Sequence, residues 1–527
     1  MPRAPPEVYS FPMSQPRSLV RNALLNWTAF VCSVGVSLFL SPLIVRYLGN
    51  GAYGVWTLIN AIASYLSLLD FGLRGTVTRF VAWDMARDNL DEAKRTVATT
   101  LWIRVWIGCG VVAASVGLAF FAPVFFAIPP ELHQETRWAL IMAGIGVTVS
   151  LIGGIFGAIL SAFQRYDLIS SVMIGQVGLR ALGALWVIHN GYGIVALATF
   201  DLVSAILANG VWLGCCVRQY PQLSVFSGRF DRSVLQRIWQ FSLYASIILT
   251  TAQVIYFTDT LVVGAFLSVS AVTFYAIGGG LNEYTLHMVQ SVTYTFTPVA
   301  SDLGARGHQA SLRRLLIYGT RVVLLIGLAV QVALFIRGGT FIGLWMGQEY
   351  IQISSRILQI LLVAQIFIIA NRGSYGIIFG LEKTRPVALI GIAEAAVNLV
   401  LSVILARHLG LEGVAWGTVI PSLMTQLFFF PRYVCKLVDL PLWSYFWQAW
   451  IRTGLSVVPF AIACYIVDRH WNPPNLLFFF LQMLLLLPVL ILSAACSFPK
   501  EAAELWRTRP AWLLPVAKTS VPLSEKS

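Results

Sequence analysis

The chain has 527 residues, of which 57% are hydrophobic and only 11% charged, and its formal net charge is +13. A soluble protein carries about a quarter charged residues, so this composition, with a mean hydropathy of +0.76, belongs to a membrane-embedded protein. The positive charge does not indicate a nucleic-acid partner, because its distribution follows a membrane rule instead.

In chain order, residues 1–20 form a tail with Arg3 and Arg17 among prolines, and no apolar core precedes Leu24. The first span is therefore expected to act as an uncleaved insertion signal. Stretches long enough to cross about 30 Å of hydrocarbon then follow at 24–45, 54–82, 97–121, 138–162, 168–188 and 193–216, within a first unit of 21–217. A cytoplasmic linker, 218–237, leads to a second unit, 238–436, with stretches at 238–265, 271–300, 314–336, 352–380, 387–406 and 411–431. Two further stretches, 450–467 and 475–496, occupy 437–496, and 497–527 forms a second tail. Each far exceeds the roughly ten-residue alternating strand of a membrane barrel. The expected fold is thus an all-α polytopic membrane protein of about 14 transmembrane helices, in two six-helix bundles plus two C-terminal helices. Trp56, Trp138, Trp345 and Trp447, near span ends, read as interface belts.

Orientation follows from Lys and Arg between spans. With the N-terminus cytoplasmic, inner segments hold 23 of them and outer segments 5 (Arg46, Arg137, Arg337, Arg407 and Arg469). An even number of spans returns the C-terminus to the cytoplasm.

An internal repeat appears at a shift of 219 residues. His189-x-Gly191-x-x-x-Val195-Ala196-x-x-Thr199 recurs as His408-x-Gly410-x-x-x-Val414-Ala415-x-x-Thr418. The same shift aligns Gly154 and Gly157 with Gly373 and Gly376, Lys94-Arg95 with Arg313-Arg314, and Tyr65 with Tyr284. Six spans fit within the shift, so both units enter the membrane in one direction, as a parallel repeat.

No metal or cofactor is expected. The seven cysteines (Cys32, Cys109, Cys215, Cys216, Cys435, Cys464 and Cys496) lie in or beside apolar segments without metal spacing, and the six histidines form no ligand pairs. The outer connection at 122–137 is too short for a catalytic module, so the chain reads as a transporter and not as an enzyme.

The informative chemistry is ionisable groups inside spans. Arg180, Asp201 and Glu283 fall near mid-membrane, and Asp70, Arg74, Arg104, Arg321, Arg372 and Glu394 in the cytoplasmic half, counting 1.5 Å per residue. A central Arg or Asp costs about 2.5–3.5 kcal/mol to insert, so the set must pair across helices or face water. Asp70 and Arg74, four apart, can bridge each other on one face. Arg180 and Arg372 have no acidic neighbour at that spacing, which favours a cavity role. Asp201 and Glu283 can serve as proton or sodium sites, or can neutralise a nearby arginine. Gly278-Gly279-Gly280, Pro298 and the Gly154/Gly157 and Gly373/Gly376 pairs read as close helix packing or as hinges.

Several short motifs then carry a family likeness. They are Pro42-Leu43-Ile44-Val45-Arg46-Tyr47-Leu48-Gly49, Tyr53-Gly54-Val55-Trp56 and Leu69-Asp70-Phe71-Gly72-Leu73. Ala162-Phe163-Gln164-Arg165-Tyr166-Asp167, Asp259 to Phe266 with Tyr275, and Leu344-Trp345-Met346-Gly347 follow. In this order the chain resembles the polysaccharide-biosynthesis flippases (O-antigen and exopolysaccharide translocases) of the multidrug/oligosaccharidyl-lipid/polysaccharide exporter superfamily. The resemblance implies two six-helix bundles around a central cavity, working by alternating access in a bacterial inner membrane. It implies a polyprenyl-diphosphate-linked oligosaccharide as substrate, with membrane lipids and other polysaccharide-export proteins as partners. Cavity cations of such proteins meet the diphosphate; the positions fitting that role are Arg74, Arg180, Arg321 and Arg372. Asp70, Asp201, Glu283 and Glu394 are the candidates for ion coupling. A multidrug exporter fits less well, since no charge lies between Arg21 and Arg46 in the first span. A peptidoglycan-precursor flippase is a closer alternative, and a membrane polymerase or ligase is the alternative of another class.

Overall fold

The computed structural model describes residues 16–223, 230–293 and 295–497. Residues 1–15 and 498–527 of the two expected tails, and 224–229 of the linker, lie outside them. Every regular element among the described residues is helical.

Helix α1 (Pro16–Ser67) runs for 52 residues and breaks at Gly49, where φ is 74°. At 1.5 Å per residue it would reach about 78 Å, more than twice the hydrocarbon thickness, so it holds two crossings joined at Gly49. Helix α12 (Arg385–Met424) breaks in the same manner at Gly410, φ 61°. Both positions need a left-handed backbone, which glycine adopts without a β-carbon clash. Between them lie α2 (Leu73–Met85), α3 (Leu90–Phe125), α4 (His133–Ala162), α5 (Tyr166–Asn190), α6 (Ile194–Gln219) and α7 (Arg232–Phe266). Next come α8 (Val269–Thr293), α9 (Phe296–Ala305), α10 (Gln309–Trp345) and α11 (Ile351–Gly380). After α12, α13 (Phe430–Leu437), α14 (Leu442–Tyr445), α15 (Arg452–His470) and α16 (Leu476–Ser497) complete the chain. The helices make fourteen crossings.

Two expected spans are interrupted. The stretch 54–82 breaks between α1 and α2, where a short 3-10 turn (Leu68–Asp70) is followed by Phe71 at φ 47° and Gly72 at φ 68°. The stretch 271–300 breaks between α8 and α9.

The 219-residue shift extends to the backbone. Helices α3 and α10 begin at Leu90 and Gln309, and α5 and α12 at Tyr166 and Arg385. Left-handed residues Asp88 and Gly191 recur as Gly307 and Gly410.

The two sets of helices meet near Gly49. Thr273 Oγ1 donates to the Asn50 carbonyl at 2.7 Å, and Tyr350 OH to Asn50 Oδ1 at 2.6 Å. Trp345 Nε1 donates to the Leu38 carbonyl at 2.6 Å, which places Trp345 in the interior and not in an interface belt. A β-carbon on Gly54 would lie 1.9 Å from the Val269 carbonyl oxygen. Further along, Tyr65 OH bonds Thr258 Oγ1 at 2.6 Å. Asp231 starts α7: its carboxylate accepts from the Ser233 amide at 2.8 Å and its own amide donates to Thr99 Oγ1 at 3.0 Å. The Ser233 hydroxyl and amide hold its pKa below the ordinary carboxylate value.

Helices α15 and α16 are tied to α10 by buried polar bonds. Arg337, fully buried, reaches Asp468 Oδ1 at 3.3 Å and Gln482 Oε1 at 2.6 Å, and Thr340 Oγ1 donates to the same Asp468 oxygen at 2.8 Å. The Phe479 ring covers the guanidinium, 4.8 Å away.

Candidate substrate cavity

A cavity of about 400 Å3 opens within the first half, between α1 after its break and α2 to α6. Its ionisable lining is Asp70, Arg74, Arg104, Arg180 and Asp201, with Trp56, Asn60, Ser64, Ser67 and Ser150 beside them. Three guanidinium groups therefore face two carboxylates. Trp56, expected in an interface belt, lines this cavity instead.

The break after Leu68–Asp70 positions the first group of charges. Asp70 Oδ2 accepts the Arg74 backbone amide at 3.4 Å, so the carboxylate caps the start of α2, where freed amides and the helix dipole favour an anion. Its other oxygen accepts from Arg104 Nη2, while Arg104 Nη1 donates to the Leu151 carbonyl. Arg104 is 1% exposed. The expected Asp70–Arg74 side-chain bridge is thus replaced by a bridge across helices, and Asp70 meets Arg74 only through the backbone. The Arg74 guanidinium is exposed, 5.8 Å from the centre of the Trp212 ring. Among the described residues no carboxylate lies within 4 Å of it.

Helix α4 makes room for both arginines. A β-carbon at Gly154 would stand 2.9 Å from Arg104 Nη1, and one at Gly157 would stand 3.3 Å from Arg74 Nη2. This glycine pair, expected as a helix-packing face, seats guanidinium groups. In the second half Gly373 faces the Phe296 ring and Gly376 its β-carbon instead.

On the far wall, Arg180 Nε lies 3.1 Å from Asp201 Oδ1 and 3.3 Å from Ser204 Oγ. The pair joins α5 to α6, so Arg180 does have an acidic partner, 21 residues away and beyond the reach of same-helix spacing.

The remaining candidates lie elsewhere. Arg321 Nε donates to the Gln448 carbonyl at 2.9 Å, and its guanidinium covers Tyr318 at 5.0 Å. It thereby joins α10 to the π-turn before α15, outside the cavity. Arg372 lies over Tyr375 on α11 at 5.5 Å, also outside it. Glu283 contacts His287 one turn along at 3.2 Å. Glu394 accepts from Ser422 Oγ at 2.7 Å and Thr425 Oγ1 at 2.8 Å. This charged cavity lies within the first half, between its own helices.

Arg104 carries no role in the sequence reading, although it holds the site together; its partner lies 34 residues away. The signal that could have found it is the glycine pair: Gly154 and Gly157 leave volume on α4 that only side chains of other helices can fill.

Fourteen crossings, a duplicated half and a charged intramembrane cavity define a membrane transporter. Residues 43–355, more than half of the chain, match the family described as polysaccharide biosynthesis protein, and the chain belongs to that family. It is similar to the uncharacterised membrane protein EpsK of Bacillus subtilis (strain 168), at 23% identity over 429 residues, covering 79% of this chain and 83% of that one. A Shigella flexneri protein provisionally named an O-antigen transporter is 21% identical over 404 residues, covering 76% and 93%. Among solved structures, an inward-facing MATE-family multidrug transporter superposes with a TM-score of 0.70 at 13% identity, covering 81% of this chain and 98% of that one. The lipid II flippase MurJ, in an inward closed conformation, gives 0.68 at 14%, covering 92% and 100%. At such identities these two likenesses establish the fold alone.

Proposed function

We propose that this protein is a flippase that carries a polyprenyl-diphosphate-linked oligosaccharide from the cytoplasmic to the outer leaflet by alternating access. It does so for cell-surface polysaccharide synthesis in a bacterial inner membrane, with both termini cytoplasmic. The observation that carries this reading is the cationic excess of the first-half cavity, with the Arg74 guanidinium exposed and without a carboxylate partner in reach. A diphosphate cannot cross hydrocarbon unaided, and arginine forks replace its hydration with paired charge-assisted hydrogen bonds. The family membership and the likeness to a protein provisionally named an O-antigen transporter support the same substrate class. A cationic drug would be repelled where an anion is attracted.

In this reading the units 21–217 and 238–436 are the two moving halves, and 437–496 travels with the second. Arg74 and Arg180 contact the diphosphate. Arg321, Arg372, Glu283 and Glu394 act from outside the cavity, the last two as candidates for ion coupling alongside Asp70 and Asp201. Chemistry on the glycan is not required.

The test is removal of the gene followed by analysis of lipid-linked glycan. We expect the glycan to accumulate facing the cytoplasm, and Arg74→Ala to fail to relieve the accumulation while inserting normally. An unchanged glycan distribution in the deletion strain would refute the reading.

A further inference from the structure

The internal repeat makes the two halves natural controls for one another. At the 219-residue shift, Asp70, Arg104 and Ser150 of the cavity correspond to Val289, Val323 and Ile369. Those three residues form one buried apolar cluster, exposed by 1% or less, against which Phe296 packs. Arg74 corresponds to Thr293, and Arg180 and Asp201 to Leu399 and Ile420. The first half thus carries an ion-paired cavity wall where the second carries a buried apolar plug, although the backbones differ at the first of these positions: the chain breaks at Phe71 and Gly72 after Asp70, whereas α8 runs on through Val289 to Thr293.

On α10 and α11, which correspond to α3 and α4, the plug shows that apolar packing suffices at the positions of Arg104 and Ser150. A buried ion pair is costly to desolvate and is seldom retained for stability alone. The Asp70–Arg104 bridge has no counterpart at the matched positions of the second half, which points to a role specific to the first. Its geometry identifies what that is. Arg104 holds Asp70 from one side and the Leu151 carbonyl from the other. Asp70 in turn caps the helix whose first turn carries Arg74. Fixing Asp70 fixes the start of α2, and that determines where the exposed guanidinium stands.

We infer that Arg104 is the positioning residue of a single anion-binding site in the first half, that Arg74 is the contacting cation it serves, and that the second half binds no anion. The ligand class is a diphosphate. The inference rests on the flippase reading for its biological substrate, but the site itself is defined by charge and geometry.

The experiment uses the full chain in nanodiscs of phosphatidylcholine, with inorganic pyrophosphate as the titrant in calorimetry. The key variant is the triple substitution Asp70→Val/Arg104→Val/Ser150→Ile, which copies into the first half the residues that the second half already packs. Thermal melting confirms folding, and Arg104→Lys, which keeps the charge without the planar fork, serves as a second variant. We expect one pyrophosphate per wild-type chain, and binding at least tenfold weaker in the triple variant. Arg74→Gln is expected to weaken binding to the same extent in the wild type but by less than twofold in the triple background, because neighbouring groups that act together are non-additive. Arg104→Lys is expected to fall between. Wild-type-like affinity in the triple variant, or a full additional loss from Arg74→Gln in that background, would overturn the positioning role. Two bound anions, or none, would overturn the single site. A chain that binds pyrophosphate as expected yet moves no lipid-linked glycan in the deletion strain would instead refute the flippase reading alone.

Discussion

Gly54 of α1 faces the carbonyl oxygen of Val269 at the start of α8, so closely that a methyl group on Gly54 would lie 1.9 Å from that oxygen. The obstacle is main chain, which cannot rotate aside. Gly54→Ala should therefore disfavour this contact between the two halves by about 1–3 kcal/mol, roughly fivefold to a hundredfold in population. Labelling of Asn50→Cys by an impermeant maleimide should rise accordingly in the Gly54→Ala background. Unaltered labelling would mean that this contact does not limit closure.

Arg180 and Asp201 pair on one wall of the cavity at 3.1 Å, with side chains 50% and 31% exposed. At that exposure the bridge contributes under about 1 kcal/mol to stability, so Arg180→Ala should melt almost as the wild type does. Export of lipid-linked glycan should nevertheless fall at least about tenfold, the equivalent of 1.4 kcal/mol of lost phosphate contact. Normal export in both Arg180→Ala and Arg74→Ala would remove the cavity from the mechanism.

Arg321 offers the opposite pattern. Its bond to the Gln448 carbonyl contributes about 1.5–3 kcal/mol as a charged hydrogen bond. Arg321→Met should lower the melting temperature in detergent while leaving export within about twofold of wild type. A loss of export at unchanged stability would return Arg321 to the substrate path.

The clamp formed by Arg337, Asp468 and Gln482 can be tested by removing one charge or both. Arg337→Leu leaves Asp468 without its cation and should cost about 3–5 kcal/mol, whereas Arg337→Leu/Asp468→Leu should recover much of that loss. Melting curves of the two variants decide it; a double variant no better than the single would mean that shape, not charge, holds the helices together.

Much of this architecture is legible in the sequence, because length, hydropathy and duplication are properties of the chain itself. The fourteen spans and the 219-residue shift follow from them, and Gly191 and Gly410, matched by that shift, both adopt the left-handed backbone. What a span count cannot supply is azimuth. Counting residues places Arg180, Arg321 and Arg372 at a depth, but not on a face, and the three end in different surroundings. Same-helix spacing likewise misleads at Asp70: it points to Arg74, four residues on, while the partner proves to be Arg104 on α3. The break at Phe71 and Gly72 turns α2 away from α1, so the regular spacing assumed for one straight helix does not apply there. Trp345, near a span end, is drawn inward by a bond to the Leu38 carbonyl, a partner some 300 residues away that no local pattern reveals.

The Arg337 clamp also sets a timetable for biogenesis. Its carboxylate partner lies 131 residues further along the chain, which a ribosome adding about 5–20 residues per second delivers roughly 7–26 s later. Throughout that interval the guanidinium has no permanent counter-ion, so the nascent second half must wait beside the insertion machinery, or with its arginine drawn up to the headgroups, until the last two helices arrive. Shielding that cation is complete only once α15 and α16 have been made and have packed beside it.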